Sequence, residues 1–289
     1  MPFPGVIGEY FTALTRIAVP IFFMITGYFY YDVEEKNGEL RQIKKIFKLV
    51  LEANVLYLLW DSFYAVLSRN TSFFTATFTI KNFLKFIVFN ESPLKGHLWY
   101  LGAILYVLII VRVFDTLKIG KYLGFATPFL LMGDLILGKY SILLLGREFP
   151  YILVRNFLFV GIPYFCIGRL IRNGFGKRVG KKVLTILLIT FSATSLLERF
   201  ALVNFNANGI RDHYISTTFL AVTVFLFVLK CHGNNKILAS IGRKYSTWLY
   251  ILHPIFIICI DAIAHKVVCT VFISSLHQSW FILRHWSFW

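Results

Sequence analysis

Side chains able to move protons or hold anions recur in this 289-residue chain inside stretches that are otherwise apolar. His97-Leu-Trp99-Tyr100 opens one such stretch. A histidine there can serve as general base or hydrogen-bond donor, while the Trp/Tyr pair equally fits the aromatic belt of a membrane interface. Arg155-Asn156 lies four or five residues into another apolar run, where a buried ion pair or anion contact stands level with snorkelling to the interface. His253-Pro254 falls in the middle of a third. Proline frees a backbone carbonyl in a helix, so His253 reads as readily as a structural donor to that carbonyl as a proton carrier. Arg16 and Asp134 are ionisable groups in apolar runs, which makes them functional hypotheses by default. The bland reading, snorkelling, covers Glu52, Asp61, Glu198 and Asp261 near run ends. Arg41-Gln-Ile-Lys44-Lys45-Ile-Phe-Lys48 sets cations at i, i+3, i+4 and i+7, one face of a helix. That row suits diphosphate groups as well as it suits anionic lipid headgroups.

The elements that must position these groups follow from composition. Hydrophobic residues make up 57% of the chain and charged residues 15%, against about 25% charged in a soluble domain. Mean hydropathy is +0.69. Too little polar surface exists to coat a soluble globule, and disorder or a disulfide scaffold is excluded. Apolar runs of spanning length fall near Tyr10–Tyr31, Ile46–Ser68, Leu98–Val111, Tyr122–Leu137, Tyr151–Gly168, Val183–Leu197, Tyr214–Leu229 and Ser246–Ala264. The expected fold is an all-α integral membrane protein, a polytopic bundle of about 8–9 transmembrane helices forming one domain over residues 1–289. Asn82–Asn90 reads as a short interfacial helix.

Net charge is +16, and its distribution orients the spans. With Asp32–Lys48 placed in the cytoplasm, the four inner loops hold 18 Lys and Arg and the outer loops 9, a positive-inside bias. The N-terminus then lies outside, which calls for one further span before it. Cations that flank spans form no continuous soluble face, so nucleic acid is not an expected partner. Cys166, Cys231, Cys259 and Cys269 show no CxxC spacing, and no phosphate loop, HExxH or GxSxG string occurs. No metal is expected.

Arg16-Ile-Ala-Val-Pro-Ile-Phe-Phe-Met-Ile-Thr26-Gly-Tyr28 is the most specific string in the chain. It resembles the second span of the membrane-bound acyltransferase family 3, where a Pro and two Phe precede Ser-Gly-Tyr/Phe; Thr26 keeps the hydroxyl. The basic helix start at Arg41–Lys48, His97-Leu-Trp-Tyr-Leu, Arg155-Asn156 with Gly161-Ile-Pro-Tyr-Phe, and Tyr245-Ser-Thr-Trp-Leu-Tyr250-Ile-Leu-His253-Pro occur in the family's order. Within the family the chain resembles the branch of vancomycin-resistance serine/alanine racemase membrane halves and envelope O-acetyltransferases.

The resemblance implies a ten-helix bundle that moves an acyl group, usually acetyl, from cytosolic acyl-CoA to a hydroxyl of an extracytoplasmic glycan, in a bacterial plasma membrane. Acyl-CoA would be a donor substrate, with no bound cofactor. It implies catalytic roles for His97, Arg155, Thr26 and His253, and substrate contacts from Tyr28, Trp99, Asn156, Glu198 and Tyr250. Arg41, Lys44, Lys45 and Lys48 would meet the donor phosphates. Two departures qualify it. The family's first span carries an Arg and the His regarded as catalytic, and this sequence starts after it. The inner Arg-x-x-Arg stands here as Gln42-Ile-Lys44-Lys45, which keeps charge and loses the bidentate fork. The tail from about Cys269 also departs from the family's final helix. Serine or amino-acid transport, and an inactive remnant, are the rival readings.

Overall fold

The computed structural model describes residues 6–209, 213–231 and 236–285. Among them the structure is helical, without strands. Two units are resolved, Met1–His232 and Gly233–Trp289. The first contains α1 (Val6–Thr15), α2 (Ala18–Glu34), α3 (Glu39–Leu67), α4 (Phe73–Thr77), α5 (Ile80–Phe89), α6 (Trp99–Thr116), α7 (Lys121–Leu137), α8 (Ser141–Leu145), α9 (Ile162–Arg172), α10 (Lys181–Asn204) and α11 (Ile215–Lys230). The second is one long helix, α12 (Lys236–His285).

The first unit exposes apolar surface that a soluble protein would bury, and it encloses several charged side chains. Ile80 is 81% exposed and Val66 74%, whereas Asp134 is 1% exposed and Lys139 fully buried. Apolar side chains on the outside and polar ones inside are what a bilayer solvent selects. Among the described residues, four helices are long and apolar enough to cross a membrane: Tyr10–Glu34, Glu39–Leu67, Gly96–Thr116 and Lys181–Asn204. Other apolar segments, Ile215–Lys230 and Lys244–Ile260, are shorter.

The centre is the pair α2 and α9. A Cβ on Gly27 would collide with Phe165 O, and one on Gly168 would collide with Met24 O. Small residues therefore let the two backbones touch. Around that crossing Phe23, Tyr30, Val107, Val111, Tyr164 and Phe165 form the core.

Two breaks in the helical pattern place the polar groups. At the end of α5, Asn90 adopts the left-handed conformation (φ 55°) and caps the helix. Its amide donates to Trp99 O (2.9 Å), and its carbonyl accepts from Phe157 N (3.3 Å). One side chain thus joins the interfacial helix expected near residues 82–90 to the start of α6 and to the approach to α9. The run expected as a single span from Tyr151 to Gly168 is divided instead. A 3₁₀ turn at Tyr151–Leu153 precedes extended Asn156, then a π-helical turn at Phe157–Gly161 leads into α9. Asn156 is the cause. Its side chain accepts from Leu158 N and Phe159 N at 2.9 and 3.1 Å and donates to Leu153 O at 2.7 Å. Asparagine offers the backbone a local alternative to the helical ladder and favours caps.

In the second unit, Pro254 removes the donor that would bond Tyr250 O, and His253 Nδ1 sits 2.7 Å from that carbonyl. A carbonyl only accepts, so Nδ1 carries the proton. This favours the structural reading of His253. The atypical tail from about residue 269 and Asp261 lie outside the described side chains.

Substitution at these contacts has a calculable effect. Gly27→Ala or Gly168→Ala should lower stability in detergent by roughly 1–3 kcal/mol, the range for overpacking, measured by thermal denaturation. His253→Ala should lower it by about 1 kcal/mol, one net hydrogen bond. In a Pro254→Ala background the same change should cost less, because residue 254 again supplies the backbone donor.

Candidate functional site

Polar groups gather at both ends of the first unit. At the end where α2, α6 and α9 finish, Arg169 donates to Asp115 and to Glu34, both at 2.9 Å. One turn further on, Arg172 pairs with Asp32 at 2.5 Å and lies over the rings of Tyr28 (5.2 Å) and Tyr31 (5.5 Å). Two open cavities flank this cluster. The first, about 580 Å³, is lined by Tyr28, Tyr31, Arg172, Lys177 and Lys230 among others. Gly174 and Gly176 turn its rim with φ of 103° and 73°, values only glycine adopts without strain. The second, about 590 Å³, is lined by Asp115, Lys118, Lys121, Cys166 and Arg169 among others. Cations from three of the basic sequence loops therefore converge on one end.

At the opposite end α6 begins beside the divided approach to α9. Arg155 donates to Gly96 O and lies close to the rings of Trp99 (4.9 Å) and Tyr151 (5.2 Å). A guanidinium close to two aromatic rings is held by cation–π attraction, and its planar fork is a geometry suited to anionic or hydroxyl-rich groups. His97 packs edge-on against Tyr57 at 5.2 Å, and Lys95 pairs with Asp61 at 2.8 Å alongside.

Deeper in the same half lies a chain of buried polar side chains. Asp134, on α7, is 2.5 Å from His213 Nδ1. His213 Nε2 is 3.3 Å from the Tyr164 hydroxyl on α9, which is 2.8 Å from Thr218 Oγ1 on α11. Exposures of Asp134, Tyr164 and His213 are 1%, 0% and 3%, while Thr218 is half-buried. Next to this chain, Lys139 donates to Asn208 Oδ1 and Gly209 O, each at 2.8 Å, and lies 5.1 Å above the Tyr214 ring. Glu198 accepts from the Tyr140 hydroxyl (2.9 Å), from Ser216 N (3.1 Å) and from the Ser216 hydroxyl. Burial, then the Glu198 carboxylate, holds the Tyr140 phenol above its ordinary range.

The residues singled out in the sequence divide accordingly. His97, Trp99, Arg155 and Asn156 meet at one end, with Asn156 engaged by its own backbone. Thr26 donates to Phe22 O, and the Phe22 ring lies 6.0 Å from that of Tyr100, which places Thr26 near that group. Tyr28 stands at the other end, over Arg172. Arg41, Lys44, Lys45 and Lys48 form an exposed row on α3 and do not appear in the lining of either cation-rich cavity. Glu198 and Asp61, read in the sequence as snorkelling groups, are instead engaged, one in a hydrogen-bond network and one in an ion pair. His253 and Tyr250 belong to α12.

Sequence reasoning missed His213, Thr218 and the role of Tyr164. Asp134, an acid in an apolar run, was the one available signal. His213 sits in a loop, where nothing in its spacing marks it.

A family model described as an acyltransferase domain matches residues 2–283. Two curated relatives are similar over most of the chain. An amino-acid racemase of Enterococcus faecalis is 25% identical over 265 residues, covering 87% of this chain and 37% of that protein. A serine/alanine racemase of Enterococcus gallinarum is 26% identical over 274 residues, covering 90% and 38% respectively. The chain thus corresponds to well under half the length of either relative. No solved structure matches.

Proposed function

The chain belongs to the acyltransferase 3 family, and from that premise we propose that it moves an acyl group, acetyl in the simplest case, from cytosolic acyl-CoA to a hydroxyl of a cell-envelope saccharide. In this reading it is a multi-pass protein of the bacterial plasma membrane. Helices α2, α3, α6, α7, α10 and α11, α9 with its π-helical turn, and the Lys244–Ile260 part of α12 are the eight spans.

The observation that carries the proposal is the contrast between the two ends. Lys118, Lys121, Arg172, Lys177 and Lys230 line two cavities at one end. The positive-inside bias turns that end to the cytosol, where acyl-CoA is found. A donor with a diphosphate and a further phosphate calls for several cations around a concave surface. Tyr28, at the wall of the first cavity, offers its ring to the donor. The α3 row from Arg41 to Lys48 then acts as an outer attractor for polyanions or for lipid headgroups. At the far end, Trp99 and Tyr151 present ring faces to a sugar. Arg155 supplies donors for the oxyanion that develops as the thioester carbonyl is attacked, and His97 hydrogen-bonds the saccharide from the rim.

The two relatives are named as racemases of amino acids, serine among them, and a second reading for this chain is amino-acid binding or transport, with serine the candidate solute. The two readings part in one assay on the protein reconstituted in vesicles. Release of CoA coupled to saccharide acylation is expected; serine uptake without CoA release would favour transport. A Lys177→Ala/Lys230→Ala double variant should raise KM for acyl-CoA about tenfold, the equivalent of roughly 1.4 kcal/mol. KM for an acyl-pantetheine, which lacks the nucleotide phosphates, should not move. Equal effects on both donors would remove the cavity from the donor site.

A further inference from the structure

We propose that Thr218, Tyr164, His213 and Asp134 form a proton relay that takes up the proton of the acceptor hydroxyl during acyl transfer; this rests on the acyltransferase reading. Its direction is set by which atoms can donate. In the relay Asp134 is the acceptor, so His213 Nδ1 carries the proton across the 2.5 Å contact. Nε2 of the neutral ring is then an acceptor, and the Tyr164 hydroxyl, 3.3 Å away, donates to it. With its proton committed, the Tyr164 oxygen accepts from Thr218 Oγ1 at 2.8 Å. Every bond in the chain therefore points inward, from a half-buried hydroxyl to a carboxylate that is 1% exposed. Three helices and one loop contribute the four groups: α7, α9, α11 and the loop before α11.

Atoms and charges balance across the transfer. The acceptor oxygen bonds the thioester carbonyl carbon, and the C–S bond breaks to release CoA thiolate. As the acceptor loses its proton to Thr218 Oγ1, Thr218 passes its own to Tyr164, and Tyr164 passes its own to His213 Nε2. The imidazolium so formed is stabilised by Asp134, which also fixes the ring's tautomer. The thiolate recovers the proton along the reverse path, which restores the resting relay. Thr218 is the end that meets the acceptor. Asp134 acts through His213 and is a positioning residue.

The same site has a chemical preference. Its outer member is a neutral hydroxyl, and the interior is already committed to an acid–imidazole pair. A hydroxyl acceptor is therefore suited to it.

Tyr164→Phe and Thr218→Val keep shape and remove one link each. Both should lower kcat about a hundredfold, the scale of general base catalysis, with KM for acyl-CoA unchanged. Each should also abolish the solvent deuterium isotope effect on kcat, and Thr218→Ser should restore both quantities. A purely structural role would move stability or KM and spare the isotope effect. Variants that retain kcat within about twofold of the parent would overturn the relay. A second readout does not need acyl transfer: histidine-labelled protein should show a far-downfield Nδ1 proton resonance that vanishes in Asp134→Asn and in His213→Gln. Absence of that resonance in the parent protein overturns the relay. Its presence in a protein that never releases CoA overturns the acyltransferase reading instead.

Discussion

Arg169 sits where α2, α6 and α9 all end, and its guanidinium holds Glu34 and Asp115 at 2.9 Å each. Two carboxylates this close would repel each other, and each is only about a quarter exposed. The planar fork of arginine satisfies both at once, which the single point charge of lysine would not. Tyr30 packs against the same cation at 5.6 Å. Because each partner comes from a different helix, the ion triplet sets the heights of three helices at one point. Removing the arginine would leave uncompensated acids in a poorly hydrated place, a change usually more damaging than replacing the whole cluster. The glycine contacts of α2 with α9 depend on that setting, since a shift of one residue would bring a side chain where Gly27 or Gly168 now permits backbone contact.

The height of α9 matters at its other end too. Tyr164 lies near the start of α9, between His213 and Thr218, and Arg155 lies just before the π-helical turn that leads into the same helix. A helix tied firmly at Arg169 thus carries the polar groups of both halves. The π-helical turn adds one residue to the path and changes which side chains face inward, a feature common at functional sites. It exists because Asn156 closes on its own backbone.

Much of this frame was legible in the sequence, and the reason is physical. Apolar runs such as those containing Val107 and Leu196 report a bilayer directly, and loop cations report orientation. Amphipathic Ile80–Phe89 and the proline at residue 254 announce their local structure through neighbouring residues alone. What stayed hidden depends on long-range contact. His213 meets Asp134 across 79 positions and Tyr164 across 49. Arg169 meets Glu34 across 135. The cations at the two cavities come from loops that are far apart in the chain, and no periodicity links them. Conversely, the helical spacing of Arg41, Lys44, Lys45 and Lys48 was plain, yet a row on one helix gives no concavity, and the cavities formed elsewhere. Local pattern predicts faces; it does not predict which faces meet.

The start of α11 shows how the two kinds of information combine. Its first turn receives Glu198 from α10, which accepts from Ser216 N, and Thr217 Oγ1 accepts from Tyr214 N. Asp134 adds a second carboxylate just before the turn, through His213. Acids at a helix N-terminus are stabilised by the unpaired N–H groups and the helix dipole, and here they come from two different helices. The start of α11 is therefore fixed from both sides, with Lys139 close by on the Tyr214 ring to offset the negative charge. Thr218 lies one residue beyond Thr217 in the same turn. Its hydroxyl is held at a height and angle that neither its own helix nor its sequence neighbours would determine, and the 2.8 Å contact with Tyr164 results from that placement.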